Sequence, residues 1–363
     1  MSLELAKLKL RGERISLPRL LRWRRRVWSV LALSIFLIFV VGLACCIGTA
    51  RIPFGTTLQV LLYRVPFFDV QAYWPASTET IILDIRLPRI ILGGIVGAAL
   101  AVAGATYQGI FRNPLADPYI IGVAQGAALG ATVGFLLPFL GQVAGFGLIP
   151  VLAFAGAMVV VSTVYLFARV GKTLPVTTLV LAGVALGAFC ASITSYLMIR
   201  SEGKIHGIVS WLLGGLSLSN WAQVAVVAPY VIAGIILVCL FGRALNVMQL
   251  DEEQAQQLGI NVERVKLVLL AAASLITAAA VSVSGTIGFV GIIVAHAVRL
   301  IWGPDYRFLV PLSAVCGAIF LILADTVSRT VLMPTEVPVG VVTAFLGAPF
   351  FLYLLRREKR AVF

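Results

Sequence analysis

Ten stretches of this chain are apolar over the length that a helix needs to cross a bilayer. A span takes about 20 mainly apolar residues. Reading on that basis selects 27–48, 88–109, 119–139, 147–168, 175–199, 221–242, 264–283, 286–301, 308–328 and 338–355, of which the eighth is short and glycine-rich. The expected fold class is an all-α polytopic membrane protein with ten transmembrane helices. Composition agrees: 60% of residues are hydrophobic and 12% charged, where a soluble domain is about half apolar and a quarter charged.

The net charge of +13 raises nucleic acid as a partner, but the placement of the charge argues against it. Residues 1–26 hold nine Lys/Arg against Glu4 and Glu13, and Arg356, Arg357, Lys359 and Arg360 crowd the other terminus. That is the positive-inside pattern, and an even span count puts both termini in the cytoplasm. The implied division is a basic cytoplasmic segment 1–26, a membrane domain 27–356 and a tail 357–363. Arg24-Arg25-Arg26 also looks like a signal-peptide start, yet the run after it is long enough to span and more spans follow. Internal loops then carry Arg112, Arg169, Lys172, Arg243, Arg264, Lys266, Arg299 and Arg307. Arg51, Arg64, Arg86, Arg89, Arg200, Lys204 and Arg329 fall outside and need their own reason.

Between the second and third spans lies Arg112-Asn113-Pro114-Leu115-Ala116-Asp117-Pro118. Its prolines fix φ and bias Asn113 and Asp117 away from helix, so the loop has a defined shape. Residues 49–87 form an external segment with aromatics and prolines, and 244–263 form the main internal one. In the latter, Asp251 and Gln254 read as a capping-box-like start and Gly259 as a terminating glycine of a short helix. Ala255 and Leu258 would share one face of it, beside Glu252, Glu253, Gln256 and Gln257. It is either a solvated connector or a docking helix for a cytoplasmic partner. Gly122, Gly126, Gly130 and Gly134 recur every fourth residue and predict close helix packing, as do Gly93/Gly97 and Gly183/Gly187. A weak internal repeat pairs residues 99–105 with 280–286 and 174–176 with 337–339, in opposite directions through the membrane. Inverted repeats of this kind are common in transporters.

The chain lacks the parts of an energy-converting enzyme. Gly171-Lys172-Thr173 looks like the end of a phosphate loop, but Leu166 stands where its first glycine belongs. His206 and His296 are the two histidines, far apart, and the five cysteines form no C-x-x-C pair, so no metal site is expected. His296 reads as a helix-packing polar group. Ion-coupled carriers usually hold carboxylates within their helices. Here Asp325 lies near the outer end of the ninth span, four residues from Arg329 and able to pair with it, while Asp84 and Glu336 are external. An ion-coupled secondary transporter is thereby disfavoured, and energy must come from elsewhere or not be needed.

The order Arg86-Leu87-Pro88-Arg89, Gly97-Ala98-Ala99-Leu100-Ala101, Gly104, Gln108, residues 112–118 and Gly122 resembles the FecCD-type permease family. These are the membrane subunits of type II ABC importers for iron–siderophore complexes, haem and vitamin B12. Residues 181–187, Trp211-Leu212-Leu213-Gly214-Gly215, Ala255 with Leu258-Gly259, 285–290, Pro338-Val339-Gly340 and Gly347-Ala348-Pro349-Phe350 are similar to further family blocks, so the likeness covers about 27–356. One departure is Ala295-His296, where the family usually has Pro-His. A straighter eighth span is expected from it.

The resemblance implies a homodimer with its pathway along the two-fold axis, in the inner membrane of a prokaryote. Two cytoplasmic ATPases, which bind the ATP and Mg, would dock on 247–262 through Asp251, Glu252, Gln254, Ala255, Leu258 and Gly259. An external binding protein would dock at Arg86, Arg89 and Arg329, which headgroups or Asp325 could otherwise engage. Val176, Thr177 and Thr178 fall in the cytoplasmic gate region, although their hydroxyls could equally cap the helix. The implied cargo is a metal chelate, iron(III)–siderophore first, with corrinoid or haem as alternatives. No cofactor is expected on this chain.

Overall fold

The computed structural model describes residues 2–48, 50, 52–64, 71–137, 147–201, 203–250 and 252–362, with side chains from Arg24 onward except 252, 354, 355 and 357–362. Among the described residues it is helical throughout, without a strand. Helix α1 (Ser2–Cys46) is continuous, and its apolar part is Arg24–Cys46. Short α2 (Phe54–Tyr63) and α3 (Ala76–Thr80) follow, and a π-helical turn, Ile81–Arg86, feeds directly into α4 (Leu87–Phe111). Next come a 3-10 turn, Pro118–Ile121, and then α5 (Val123–Leu136), α6 (Leu148–Ala168) and α7 (Val176–Ile199). After α8 (Ile205–Leu212) and α9 (Trp221–Leu240) stand two short helices, α10 (Gly242–Val247) and α11 (Glu252–Gln257). The chain closes with α12 (Val262–Ser284), α13 (Val290–Trp302), α14 (Tyr306–Thr330) and α15 (Val339–Val362).

Among the described residues, seven segments are long and apolar enough to cross a bilayer, while Val123–Leu136, Val290–Trp302 and Val339–Tyr353 are apolar but shorter. The third and eighth expected spans are therefore corrected, and both shorten for a backbone reason. Asp117 Oδ1 accepts the Tyr119 N–H at 2.7 Å and starts the 3-10 turn. Gly122, at φ +82°, then breaks the path before α5. In the eighth, Gly285 (φ +66°) and Phe289 (φ +69°) hold 285–289 out of helix, and Phe289 packs its side chain on Gly347. From Val290 the helix runs unbroken through Ala295 and His296.

Helix α4 is the axis of the bundle, buried on every side from Ala99 to Ile110. It can be, because its small residues let neighbouring backbones close in. A Cβ on Gly97 would lie 2.2 Å from Gly317 O on α14, and one on Gly104 would lie 2.2 Å from Gly291 O on α13. The stripe on α5 divides in the same light. A Cβ on Gly126 would meet Gly156 O at 2.6 Å and one on Gly130 would meet Leu152 O at 2.0 Å, both on α6. One on Gly134 would sit 3.1 Å from Ile149 Cα, whereas Gly122 supplies the positive φ. In lipid such contact, more than hydrophobic burial, holds helices together.

The two halves repeat as elements. Helices α4, α5, α6 and α7 are 25, 14, 21 and 24 residues long, and α12, α13, α14 and α15 are 23, 13, 25 and 24. In each half the short helix follows a left-handed residue, Gly122 or Phe289, and the last follows a proline, Pro175 or Pro338. Helix α4 ends beside α11, where Arg112 donates to Leu250 O. Helix α12 begins at that end and finishes at the other, where Gly215 N donates to Ser284 O. The halves thus run oppositely. The matched segments 99–105 and 280–286 are not equivalent in this register, since one is mid-helix and the other ends α12; their likeness is one of composition. The pair 174–176 and 337–339 does coincide, each starting a helix.

Candidate functional site

At one end of the bundle the α10–α11 segment is tied to two long helices. Gln249 Nε2 donates to Gly109 O (3.0 Å), and Arg112 Nη1 to Leu250 O (3.2 Å), fixing the end of α4. Asn246 and the start of α14 exchange two bonds: Asn246 Nδ2 donates to Asp305 Oδ1 (2.7 Å), and Tyr306 N to Asn246 Oδ1 (2.8 Å). Asp305 also pairs with Arg307 (2.7 Å) and with Arg26 of α1 (3.3 Å). Its hydrogen bond from Arg307, opposed by partial burial and helped by Asn246, holds its carboxyl down at about 2. At the base of α12, Glu263 Oε2 accepts the Leu174 N–H (2.8 Å) just before α7, while Glu263 Oε1 takes Lys266 Nζ (3.3 Å).

Of the expected coupling residues, Asp251 and the side chain of Glu252 lie outside the described residues. Gly259 ends α11 at φ +83° with Gly259 N→Gln256 O and Ile260 N→Ala255 O bonds, the paired pattern of a Schellman motif. Ala255 and Leu258 do not share a face. Ala255 is fully buried against Met248 and Val262, whereas Leu258 is 63% exposed, as Leu250 is at 45%. Gln254 is exposed. The buried alanine shapes the segment, and the exposed leucines are what it offers outward.

At the opposite end three arginines converge, and their expected exposure needs correcting. Arg86, Arg89 and Arg329 are all more than nine-tenths buried. Arg89 binds Asp325 through Nε and Nη2 (3.0 and 2.8 Å) and Glu336 through Nη1 (2.9 Å). Arg329 Nε reaches Asp325 Oδ2 at 3.0 Å, realising the expected four-residue pair, and Nη1 donates to Ile47 O at 3.2 Å. Arg86 donates to Cys45 O (2.7 Å) and Ala50 O, which ties the end of α1 to α4. Buried charge is tolerated only when paired and hydrogen-bonded, and that is how the chain has spent these guanidinium groups. Glu336, which also accepts Ser217 Oγ (2.8 Å), sits below the ordinary carboxylate value. Burial raises it, but the Arg89 hydrogen bond and charge prevail. Two further exceptions to the positive-inside pattern have partners here: Arg64 pairs with Glu79 (2.9 Å), and Lys204 Nζ donates to Phe135 O (2.8 Å), near the end of α5.

Between these ends a cavity of about 270 Å³ lies against α7 and the start of α5, lined by Tyr119, Gln125, Gly183, Gly187, Ala188 and Ala191 among others. Its walls are small and mostly apolar. The Tyr119 hydroxyl donates to Ile287 O (3.0 Å) and accepts from Ile287 N (3.2 Å), bridging the two interrupted helix starts. Of the expected gate residues, Val176 is half-buried and Thr177 exposed. Thr178 Oγ1 donates to Ala168 O (2.8 Å) and Pro175 O (2.9 Å), so its hydroxyl closes the α6–α7 turn. Sequence reasoning missed the Asn246–Asp305, Gln249–Gly109, Glu263–Leu174 and Tyr119–Ile287 contacts. Asp305 and Asn261 were findable as N-caps, since each accepts a backbone N–H two or three residues on. Their distant partners had no local signal. Among the described residues no group of three His, Cys, Asp or Glu side chains could hold a metal.

A helical membrane bundle with paired charges at its ends and a small neutral cavity between them has the build of a permease. The chain belongs to the FecCD transport family, whose model matches residues 35–357. It is 46% identical over 327 residues to the cobalamin import system permease protein BtuC of Halobacterium salinarum, covering 86% of this chain and 87% of that protein. It is 40% identical over 284 residues to the Fe(3+)-citrate import system permease protein YfmE of Bacillus subtilis, covering 78% and 84%. A solved inward-facing metal-chelate type ABC transporter superposes with a TM-score of 0.76 at 30% identity, over 91% of this chain and 99% of that one. The chain is a multi-pass permease of the ABC importer class.

Proposed function

We propose that this chain is the translocation subunit of an ATP-driven importer of a metal chelate in a prokaryotic inner membrane. It works as a homodimer, with two ATPases on the α10–α11 segment, an external binding protein at the opposite end and both termini in the cytoplasm. ATP and Mg belong to the ATPase. The observation that carries this reading is the α10–α11 segment itself. It is anchored to the ends of α4 and α14, yet it leaves Leu250 and Leu258 exposed. Apolar residues on the polar end of a membrane protein fit a surface that a partner covers. Pulling that segment would move α4 and α14 directly, and α7 through Glu263 and Leu174. A partner that prefers one arrangement shifts the equilibrium between outward- and inward-open states.

Arg86, Arg89 and Arg329 enter this reading as the charge held at the external end. Glu336, with its side chain 34% exposed, is the member of that network open to exchange with an arriving acidic group. Val176 and Thr177 stand at the inner mouth beside α7. A corrinoid is the first cargo to test, because the likeness to the cobalamin permease exceeds that to the Fe(3+)-citrate permease. A ferric siderophore is the second reading, since the chain is also 40% identical to a Fe(3+)-citrate permease. Uptake of labelled cyanocobalamin and of labelled ferric siderophore into proteoliposomes holding the complete complex decides between them. Cobalamin uptake that excess ferric siderophore leaves unchanged supports the first; accumulation of the iron chelate alone refutes it.

A further inference from the structure

At the α11 end a second cavity, of about 150 Å³, opens between α6, the 169–174 turn and the start of α12. Its lining includes Arg169, Lys172, Thr173, Glu263 and Arg264. The single carboxylate there is already used, accepting the Leu174 N–H and pairing with Lys266. Arg169, Lys172 and Arg264 are exposed, and among the described residues none makes an ion pair. Arg169 caps the end of α6 and gives its Nε–H to Gly171 O (2.9 Å), a bond that does not use its terminal nitrogens. Three positive charges therefore surround one small opening.

The neighbourhood of this opening is apolar. Leu166, Phe167 and Val170 are 70%, 77% and 57% exposed, and Leu267, which lines the cavity itself, is 40% exposed. A free anion needs only the charges, and a soluble partner would leave this strip uncovered. A molecule with a phosphate head and hydrocarbon tails matches both. We propose that the cavity binds the phosphate of an anionic phospholipid in the leaflet at the α11 end, with its acyl chains along α6. Basic pockets between transmembrane helices are the kind of site that anionic headgroups occupy, and each Lys or Arg near the surface strengthens binding by about fivefold. This rests on the membrane-spanning reading and is independent of the cargo. Glu263 joins α12 to α7 at the same place, so the headgroup would sit against the joint that links the coupling segment to the cavity helix.

The test is native mass spectrometry of the delipidated full-length chain titrated with phosphatidylglycerol, phosphatidylcholine or inorganic phosphate. Wild type should prefer phosphatidylglycerol. The triple variant R169Q/K172Q/R264Q should lose on the order of a hundredfold in that affinity while its phosphatidylcholine binding stays the same. The charge-conserving variant R169K/R264K should stay within a few-fold of wild type, which separates lost charge from lost folding. Undiminished preference in the triple variant overturns the proposal. So does displacement of the lipid by millimolar phosphate, which would mark a free-anion site. Weakened association with the ATPase at unchanged lipid preference would assign the patch to that partner instead.

Discussion

Asp325 pairs with two buried guanidinium groups at once. It lies 2.8 Å from Arg89 and 3.0 Å from Arg329, almost wholly buried, so its removal leaves Arg329 without its carboxylate partner and Arg89 with Glu336 alone. Breaking a buried pair in this way costs about 3–5 kcal/mol. Asp325→Ala should accordingly show a large fall in thermal midpoint in detergent, and Asp325→Glu a smaller one. Asp117 is the opposite case: a loop carboxyl whose burial pushes it up to about 6, although Tyr119 N–H lowers it. A raised carboxyl pKa means that the folded chain holds a proton which the unfolded chain releases. Stability from this group is greatest near pH 4, falls as pH rises to about 6, and is flat above. Asp117→Asn keeps an acceptor for Tyr119 N–H and should stabilise the protein by roughly 1–3 kcal/mol at pH 8 and little at pH 4. Equal shifts in thermal midpoint at both pH values would contradict this.

Among helices, closeness of approach decides what a glycine is worth. Gly130 meets α6 where a Cβ would lie 2.0 Å from a carbonyl oxygen, whereas a Cβ on Gly42 of α1 would meet nothing within 4 Å. Overpacking of this kind costs about 1–3 kcal/mol or more. Gly130→Val should cut the yield of folded protein in size-exclusion chromatography, and Gly42→Ala should leave it unchanged. The four-residue spacing made this contact legible in advance, because periodicity alone puts those positions on one face. The limits of α5 and α13 were not legible. They depend on backbone angles at Gly122, Gly285 and Phe289, and nothing about phenylalanine announces a left-handed conformation. The arginines show the same division. Their position near the outer end was readable, but their burial depended on Asp325 and Glu336, which lie 236 and 247 residues from Arg89. Leu258 is exposed at the end of α11, so Leu258→Glu should leave the melting profile intact and weaken pull-down of the ATPase at least tenfold, as for a central apolar contact in an interface.

For the whole molecule, opposed halves meet around α4 and α12, with one charge network at each end of the bundle. Helix α14 belongs to both networks, through Asp305 at its start and Asp325 near its finish. Helix α1 does as well, through Arg26 and the carbonyls of Cys45 and Ile47. Under the proposed function, a push at the α10–α11 segment would reach the far end through these two helices. In the proposed function the energy for transport enters from a separate ATPase. The most direct measurement is uptake of the labelled chelate into proteoliposomes that hold the permease with its binding protein, with and without the ATPase. Accumulation should require both the ATPase and hydrolysable ATP, and an imposed proton or sodium gradient should not replace them. Gradient-driven accumulation by the permease without the ATPase would contradict ATP-driven import.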